Sequence, residues 1–191
     1  PESVGLGDFG RPAGFLERQV RRWRKQLDAS RSRDIPGIDE LHERLAQTLP
    51  EQGAPAIVHG DYRLDNVLVT GDGRLTAVLD WEMATLGDPL VDLGLMLVYK
   101  EHSVTGGLSP ATSAEGFPSA SELVKTYAAA TGRDVSRLNW YVAFGCFKLA
   151  VIAEGIHYRH SQGLTVGAGF DTIGEVVPIL VERAHATLQE D

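Results

Sequence analysis

The chain has 191 residues, 43% of them hydrophobic, and a formal charge of −8, which suits one core and one domain and argues against nucleic acid or an anionic membrane surface as the main partner. Its one cysteine, Cys146, excludes an intrachain disulfide. With no leader-like opening and no apolar run long enough for a bilayer, the sequence reads as cytoplasmic.

The opening string Pro1-Glu2-Ser3-Val4-Gly5-Leu6-Gly7 is loop-like, so a native start upstream of Pro1 is expected. Over residues 15–29, Phe15, Leu16, Val20, Trp23 and Leu27 recur among charges at helical spacing, which predicts an amphipathic helix. Arg18, Arg21, Arg22, Arg24 and Lys25 crowd its polar side, with Arg31 and Arg33 beyond. They read as a solvated face, or as a seat for an anionic, phosphate-bearing acceptor. A second helix is expected over 39–49, carrying Leu41, Leu45 and Leu49 and stopped by Pro50. Ala56-Ile57-Val58 is a short apolar strand ending at His59-Gly60.

Residues 66–70 and 75–79 are β-rich runs around Gly71-Asp72-Gly73-Arg74, a hairpin signal. With Asp72-Gly73 as a two-residue turn, Thr70 faces Leu75, Leu68 faces Ala77 and Asn66 faces Leu79. Asp80 then falls beside Asn66 and across from Asp65, within reach of a shared ion. A slip of one residue would turn Asp80 to the other face. Gly87-Asp88-Pro89 marks a turn, with Asp88 as a helix N-cap. Residues 90–99 read as a buried helix carrying Asp92, and 102–119 as a Ser/Thr/Gly/Pro-rich loop. Ser119-Ala120-Ser121-Glu122 fits a capping box for a helix ending at Thr131-Gly132. A long apolar helix follows over 136–161, with Phe144, Cys146 and Phe147 as core, then a Gly-rich break over 163–170. The last helix, 171–189, should bend or restart at Pro178. The expected class is α+β, mostly α, with one small hairpin region among helices.

The stretch from His59 to Asn66 fits His-x-Asp-x-x-x-x-Asn, and Asp80-Trp81-Glu82 follows. Phosphoryl transfer needs one carboxylate to take the acceptor hydroxyl's proton, and an amide plus a second carboxylate to hold Mg²⁺ against the nucleotide. Asp61 is the candidate base; its alternative is a loop Asp making local turn hydrogen bonds. Asn66 and Asp80 are the candidate metal and nucleotide-holding ligands, hard oxygen donors of the kind Mg²⁺ takes. Asp80 closes the apolar run Ala77-Val78-Leu79, where an ionised side chain is expected to need a partner. His59 is read as a brace of the loop, and Asp92 as a buried carboxylate accepting backbone N–H groups from that loop. Glu82 could reach a second metal or be solvated. Tyr62, Arg63 and Asp65 could touch acceptor or phosphate. His157 and His160 have metal-ligand spacing without a third partner in view. A Mg-dependent phosphohydrolase fits the Asn-containing loop less well.

At these strings, and at Gly87-Asp88-Pro89-Leu90-Val91-Asp92-Leu93, the chain resembles the aminoglycoside phosphotransferase and choline kinase superfamily. Arg63-Leu64-Asp65-Asn66, the run from Trp81 to Pro89, the run from Gly7 to Pro12 and the run from Asn139 to Phe144 narrow the resemblance. They are similar to the kinase-like domains of multidomain acyl-CoA dehydrogenase family proteins and their free-standing bacterial relatives. The resemblance implies the helical C-terminal lobe of a protein-kinase-like fold, with Asp61 as base, Asn66 and Asp80 on Mg²⁺, Asp92 steadying the loop, and ATP as co-substrate. It implies a small-molecule hydroxyl acceptor, a hydroxyacyl thioester or related acid, with no nucleic-acid or membrane partner; oligomeric state and ATP-versus-GTP preference stay open. The family's nucleotide-binding N-terminal lobe has no counterpart before Phe15, so these 191 residues alone are expected to bind Mg-ATP weakly and to turn over negligibly. The alternative is a non-catalytic kinase-like binding or regulatory module.

Overall fold

The computed structural model describes residues 1–101, 112, 114–165 and 169–189. It is α+β and mostly α. The elements are α1 (Phe15–Ser30), α2 (Ile38–Gln47), β1 (Ala56–Val58), β2 (Val67–Val69), β3 (Leu75–Val78), β4 (Thr85–Gly87), α3 (Leu90–Lys100), α4 (Ala120–Thr131), α5 (Leu138–Ser161) and α6 (Val176–Gln189). Most of the expected loop over 102–119 and part of the Gly-rich break lie outside the described residues.

The core is organised around α5. Trp140, Phe147, Ala150 and Val151 are fully buried along it, as expected of a helix that is apolar on all sides. α1 lays its stripe of Phe15, Leu16, Val20, Trp23 and Leu27 onto this core, and α2 adds Ile38, Leu41 and Leu45. α3 and α5 meet with almost no side chain between them. A Cβ on Gly94 would stand 2.6 Å from the Tyr141 carbonyl, and one on Gly145 would stand 3.3 Å from the Leu95 Cα. Asp88 pins the start of α3: its carboxylate accepts from the Leu90 N–H at 3.0 Å and from the Tyr141 hydroxyl at 2.8 Å. Two buried charged side chains interrupt the apolar run of α5. Glu154 accepts from the Ser32 N–H and the Arg33 guanidinium at 3.2 and 3.0 Å; the other, Lys148, belongs to the site below.

α4 opens on the expected capping box, Ser119 with Glu122, and ends on Gly132 in the left-handed region. α6 begins at Val176, so Pro178 lies in its first turn, where a missing N–H costs nothing, and the expected restart at Pro178 is displaced by two residues. Among the described residues no helix is long and apolar enough to cross a membrane.

The strands form two antiparallel pairs. β1 pairs with β4, with Ala56 opposite Gly87 and Val58 opposite Thr85; β4 is unmarked by any alternation in the sequence. β2 pairs with β3, with Val67 opposite Val78 and Leu68 opposite Ala77, as expected. The tip differs. The Gly73 N–H bonds to the Thr70 carbonyl at 2.9 Å and the Thr70 N–H to the Arg74 carbonyl at 2.9 Å, so Gly71, Asp72 and Gly73 form a three-residue turn. Val69 then faces Leu75, and a bulge between Leu68 and Val69, with Thr76 as the extra residue opposite, restores the register. Two irregularities cancel, and the Leu79 N–H still reaches the Asn66 carbonyl at 2.7 Å.

Candidate active site

The β1–β4 ladder ends at Val58 and Thr85, and the whole segment between them leaves from that end. Its first residues are fixed from below by α3. The Asp92 carboxylate accepts the N–H of His59 at 2.6 Å and of Gly60 at 2.9 Å. Burial, outweighing those two bonds, raises the Asp92 carboxyl above its usual range. Gly60 has φ 88°, and a Cβ there would sit 2.9 Å from both the Cβ and the carbonyl oxygen of Met83. The segment is threaded tightly between α3 and the turn Trp81–Met83.

His59 is buried and stitches the loop to the hairpin. Its Nδ1 accepts the Asp61 N–H at 3.2 Å, which leaves Nε2 to donate to the Leu79 carbonyl at 2.7 Å. One ring thus ties Asp61 to the strand that leads to Asp80. The ring lies 4.8 Å from that of Trp81.

Asp61 is half-buried, and its Oδ1 accepts the Tyr99 hydroxyl at 3.0 Å. Burial, and after it the Asp61 charge, push the Tyr99 phenol well above its usual range, so it stays a donor. The Arg63 guanidinium lies 5.0 Å over the Tyr99 ring and pairs through Nε with Asp65 at 2.8 Å. Arg63 and Asp65 therefore neutralise each other beside the Asp61 carboxylate.

Asn66 donates through Nδ2 to the Asp61 carbonyl at 2.9 Å, which leaves its Oδ1 free as a ligand. Asp80 lies one residue past the Asn66–Leu79 pair. It is the one non-glycine among the described residues with positive φ, at 64°. The expectation that Asp80 needs a partner is corrected: the edge hairpin is thin, Leu79 is 42% exposed, and the Asp80 carboxylate itself is exposed to water. It makes no hydrogen bond or ion pair with another described residue. Among the described residues no three His, Cys, Asp or Glu side chains converge on a metal-sized point. One free amide oxygen and one unpaired carboxylate are still a donor set that Mg²⁺ accepts when phosphate and water complete its shell. His157 lies apart, facing Gly174.

Behind Gly60 is a cavity of about 280 Å³, lined among others by Arg22, Trp23, Gly60, Glu82, Asp92 and Lys148. Glu82 is thus placed at the rim of this cavity. Lys148 lies at its floor, 7% exposed, donates to the Gly60 carbonyl, and holds its Nζ 5.3 Å over the Trp23 ring. Of the early basic residues, Arg24 and Arg31 are tied to Asp39 and Arg33 to Glu154. Arg18, Arg21, Arg22 and Lys25 line a shallow groove along α1.

Tyr99 and Lys148 are absent from the candidates that sequence reasoning supplied. Both carried a signal. Tyr99 lies seven residues after Asp92, on the same helical face two turns on, and Lys148 is a lone cation in an apolar helix, where a buried charge needs a partner.

A family model described as phosphotransferase enzyme family matches residues 1–141. The chain is 33% identical to chicken (Gallus gallus) acyl-CoA dehydrogenase family member 11 over 95% of its length, and 36% identical to the human (Homo sapiens) member 11 over 85%. It spans 25% and 22% of those two relatives. A crystal structure from Ralstonia eutropha, assigned as an aminoglycoside phosphotransferase, superposes with TM-score 0.86 at 35% identity, covering 99% of this chain and 60% of that one. A thermostable aminoglycoside phosphotransferase variant shares the fold at TM-score 0.55 and 16% identity.

Proposed function

The chain belongs to the phosphotransferase enzyme family, and from that premise we propose that it transfers the γ-phosphoryl group of ATP to a small-molecule hydroxyl, with Asp61 as the base. The observation that carries this reading is the bond from the Asn66 amide to the Asp61 carbonyl, 2.9 Å. It supports a base and a metal ligand on one turn, with Asp80 brought alongside by the Asn66–Leu79 pair.

In this reading the acceptor hydroxyl gives its proton to the free oxygen of Asp61 while Tyr99 holds the other. The acceptor oxygen bonds to the γ-phosphorus, the bond from phosphorus to the β–γ bridging oxygen breaks, and ADP leaves. Asn66 and Asp80 would hold Mg²⁺, which would neutralise charge on the phosphate oxygens. Asp92 and His59 act on Asp61 through the backbone. Arg63 and Asp65 line the approach.

For the acceptor we propose a hydroxyacyl thioester or related acid. The relatives' names join this kind of chain to acyl-CoA dehydrogenases, and the basic groove on α1 suits an anionic group. The test is ADP release by the full-length protein with Mg-ATP and a panel of hydroxyacyl thioesters, wild type against Asp61→Asn. Release should fall by about 10²–10⁴-fold while nucleotide binding persists. Unchanged release in the variant removes Asp61 from the role.

A further inference from the structure

We propose that Lys148 is a positioning residue for the Asp61 loop, acting through the Gly60 carbonyl as the positive counterpart of Asp92. The peptide that joins Gly60 to Asp61 is held at both ends: Lys148 donates to its carbonyl, and its N–H bonds to His59 Nδ1 at 3.2 Å. One residue earlier, Asp92 takes the His59 and Gly60 N–H groups. A carboxylate from α3 and an ammonium from α5 therefore grip consecutive peptide units just before the candidate base.

The location makes a purely structural role a poor explanation. Phe144, Phe147, Ala150 and Val151 around Lys148 on α5 are buried and apolar, and an ion in such surroundings is destabilising unless it is fully paired. Lys148 has three N–H donors, a Gly60 carbonyl and an aromatic face to receive them, and Asp61 and Asp92 as neighbouring negative charges. Arg22, also over the Trp23 ring at 5.8 Å, and Glu82 complete the charged groups around the same cavity. A methionine would fill the same space without the ion. Lysine there is accounted for by a demand on the loop.

The catalytic half of this proposal rests on the phosphotransferase reading; the geometric half does not, and the experiment separates them. Lys148→Met, Lys148→Gln and Lys148→Arg are made in the full-length protein. Hydrogen–deuterium exchange is followed on the peptide spanning 57–66, with 138–147 as an internal control, beside steady-state ADP release from Mg-ATP in water. In Lys148→Met the 57–66 amides should exchange about tenfold faster or more while 138–147 is unchanged. Turnover should fall on the order of 10–100-fold with KM for Mg-ATP moved less than about twofold. Lys148→Arg should restore most of both, and Lys148→Gln, a neutral donor, should fall between. If Lys148→Met does not fold, Gln against Arg decides the same question. Unaltered exchange over 57–66, or Arg behaving like Met, overturns the proposal. So does unaltered turnover in Lys148→Met. A wild-type protein that releases no ADP, yet shows the exchange pattern, sinks the phosphotransferase reading and leaves the clamp standing.

Discussion

Replacing Asp92 with alanine deletes the acceptor of two backbone N–H groups, bonded at 2.6 and 2.9 Å. His59 is 3% exposed, so water does not readily take over. A buried donor left unpaired costs about 1–3 kcal/mol, so two cost about 2–6 kcal/mol. Against this stands the relief of a desolvated carboxylate, and the loss of a negative charge near Lys148 works the other way. A net loss of about 2–4 kcal/mol is expected. Asp92→Asn keeps one acceptor oxygen and should lose about half as much. Equilibrium urea unfolding measures both, with an unchanged slope confirming that stability alone has moved. The pH dependence has a defined sign. Burial raises the Asp92 carboxyl above its ordinary 3.8, which makes the native state the better proton binder. The Asp92 contribution therefore declines as pH climbs from the unfolded value through the folded one, and Asp92→Ala lacks that slope. A loss below about 0.5 kcal/mol for Asp92→Ala, or Asn worse than Ala, would refute the acceptor count behind these figures.

Three further outcomes follow from local geometry. Gly60→Ala combines a left-handed backbone at φ 88° with a Cβ 2.9 Å from Met83 and should cost about 2–5 kcal/mol by thermal unfolding; no loss would mean that the Trp81–Met83 turn yields freely. Asp80→Gly relieves the φ of 64° and should stabilise the fold by about 0.5–1 kcal/mol while abolishing Mg-dependent nucleotide binding by calorimetric titration; a loss of stability would count against strain at Asp80. Burial holds the Lys148 amine below its ordinary 10.5, so the unfolded chain binds more protons between the folded value and 10.5. Wild-type stability should therefore rise with pH over that window relative to Lys148→Met, read from urea midpoints at pH 7 and 10; parallel midpoints would mean that Lys148 is not desolvated.

The helices were legible because their periods are strong. The stripe from Phe15 to Leu27, the Ser119–Glu122 box and the apolar run of α5 each announce an element by local rules alone. The hairpin was half legible. Its assumed two-residue turn is wrong, yet the register at Asn66 holds because the bulge between Leu68 and Val69 offsets the longer turn. β4 escaped notice because Thr85-Leu86-Gly87 has no alternation and owes its strand character to β1. The exposure of Asp80 was misjudged for a related reason. Apolar residues in sequence imply burial only when another layer covers them, and Leu68, Val69, Leu75 and Leu79 are at least 42% exposed. Tyr99 and Lys148 come from helices far along the chain, and only tertiary packing brings them to the Asp61 loop.

The contact of Gly94 with the Tyr141 backbone has a mechanical consequence. Asp92 stands two residues before one side of that contact, and Lys148 two helical turns beyond the other. With the two backbones this close at Gly94 and Gly145, α3 and α5 carry their opposite charges as parts of one stiff body. Motion of α3 against α5 therefore cannot slacken the loop from one side alone. Whatever loosens the helix crossing acts on both grips together, whereas a side-chain substitution such as Lys148→Met removes only one.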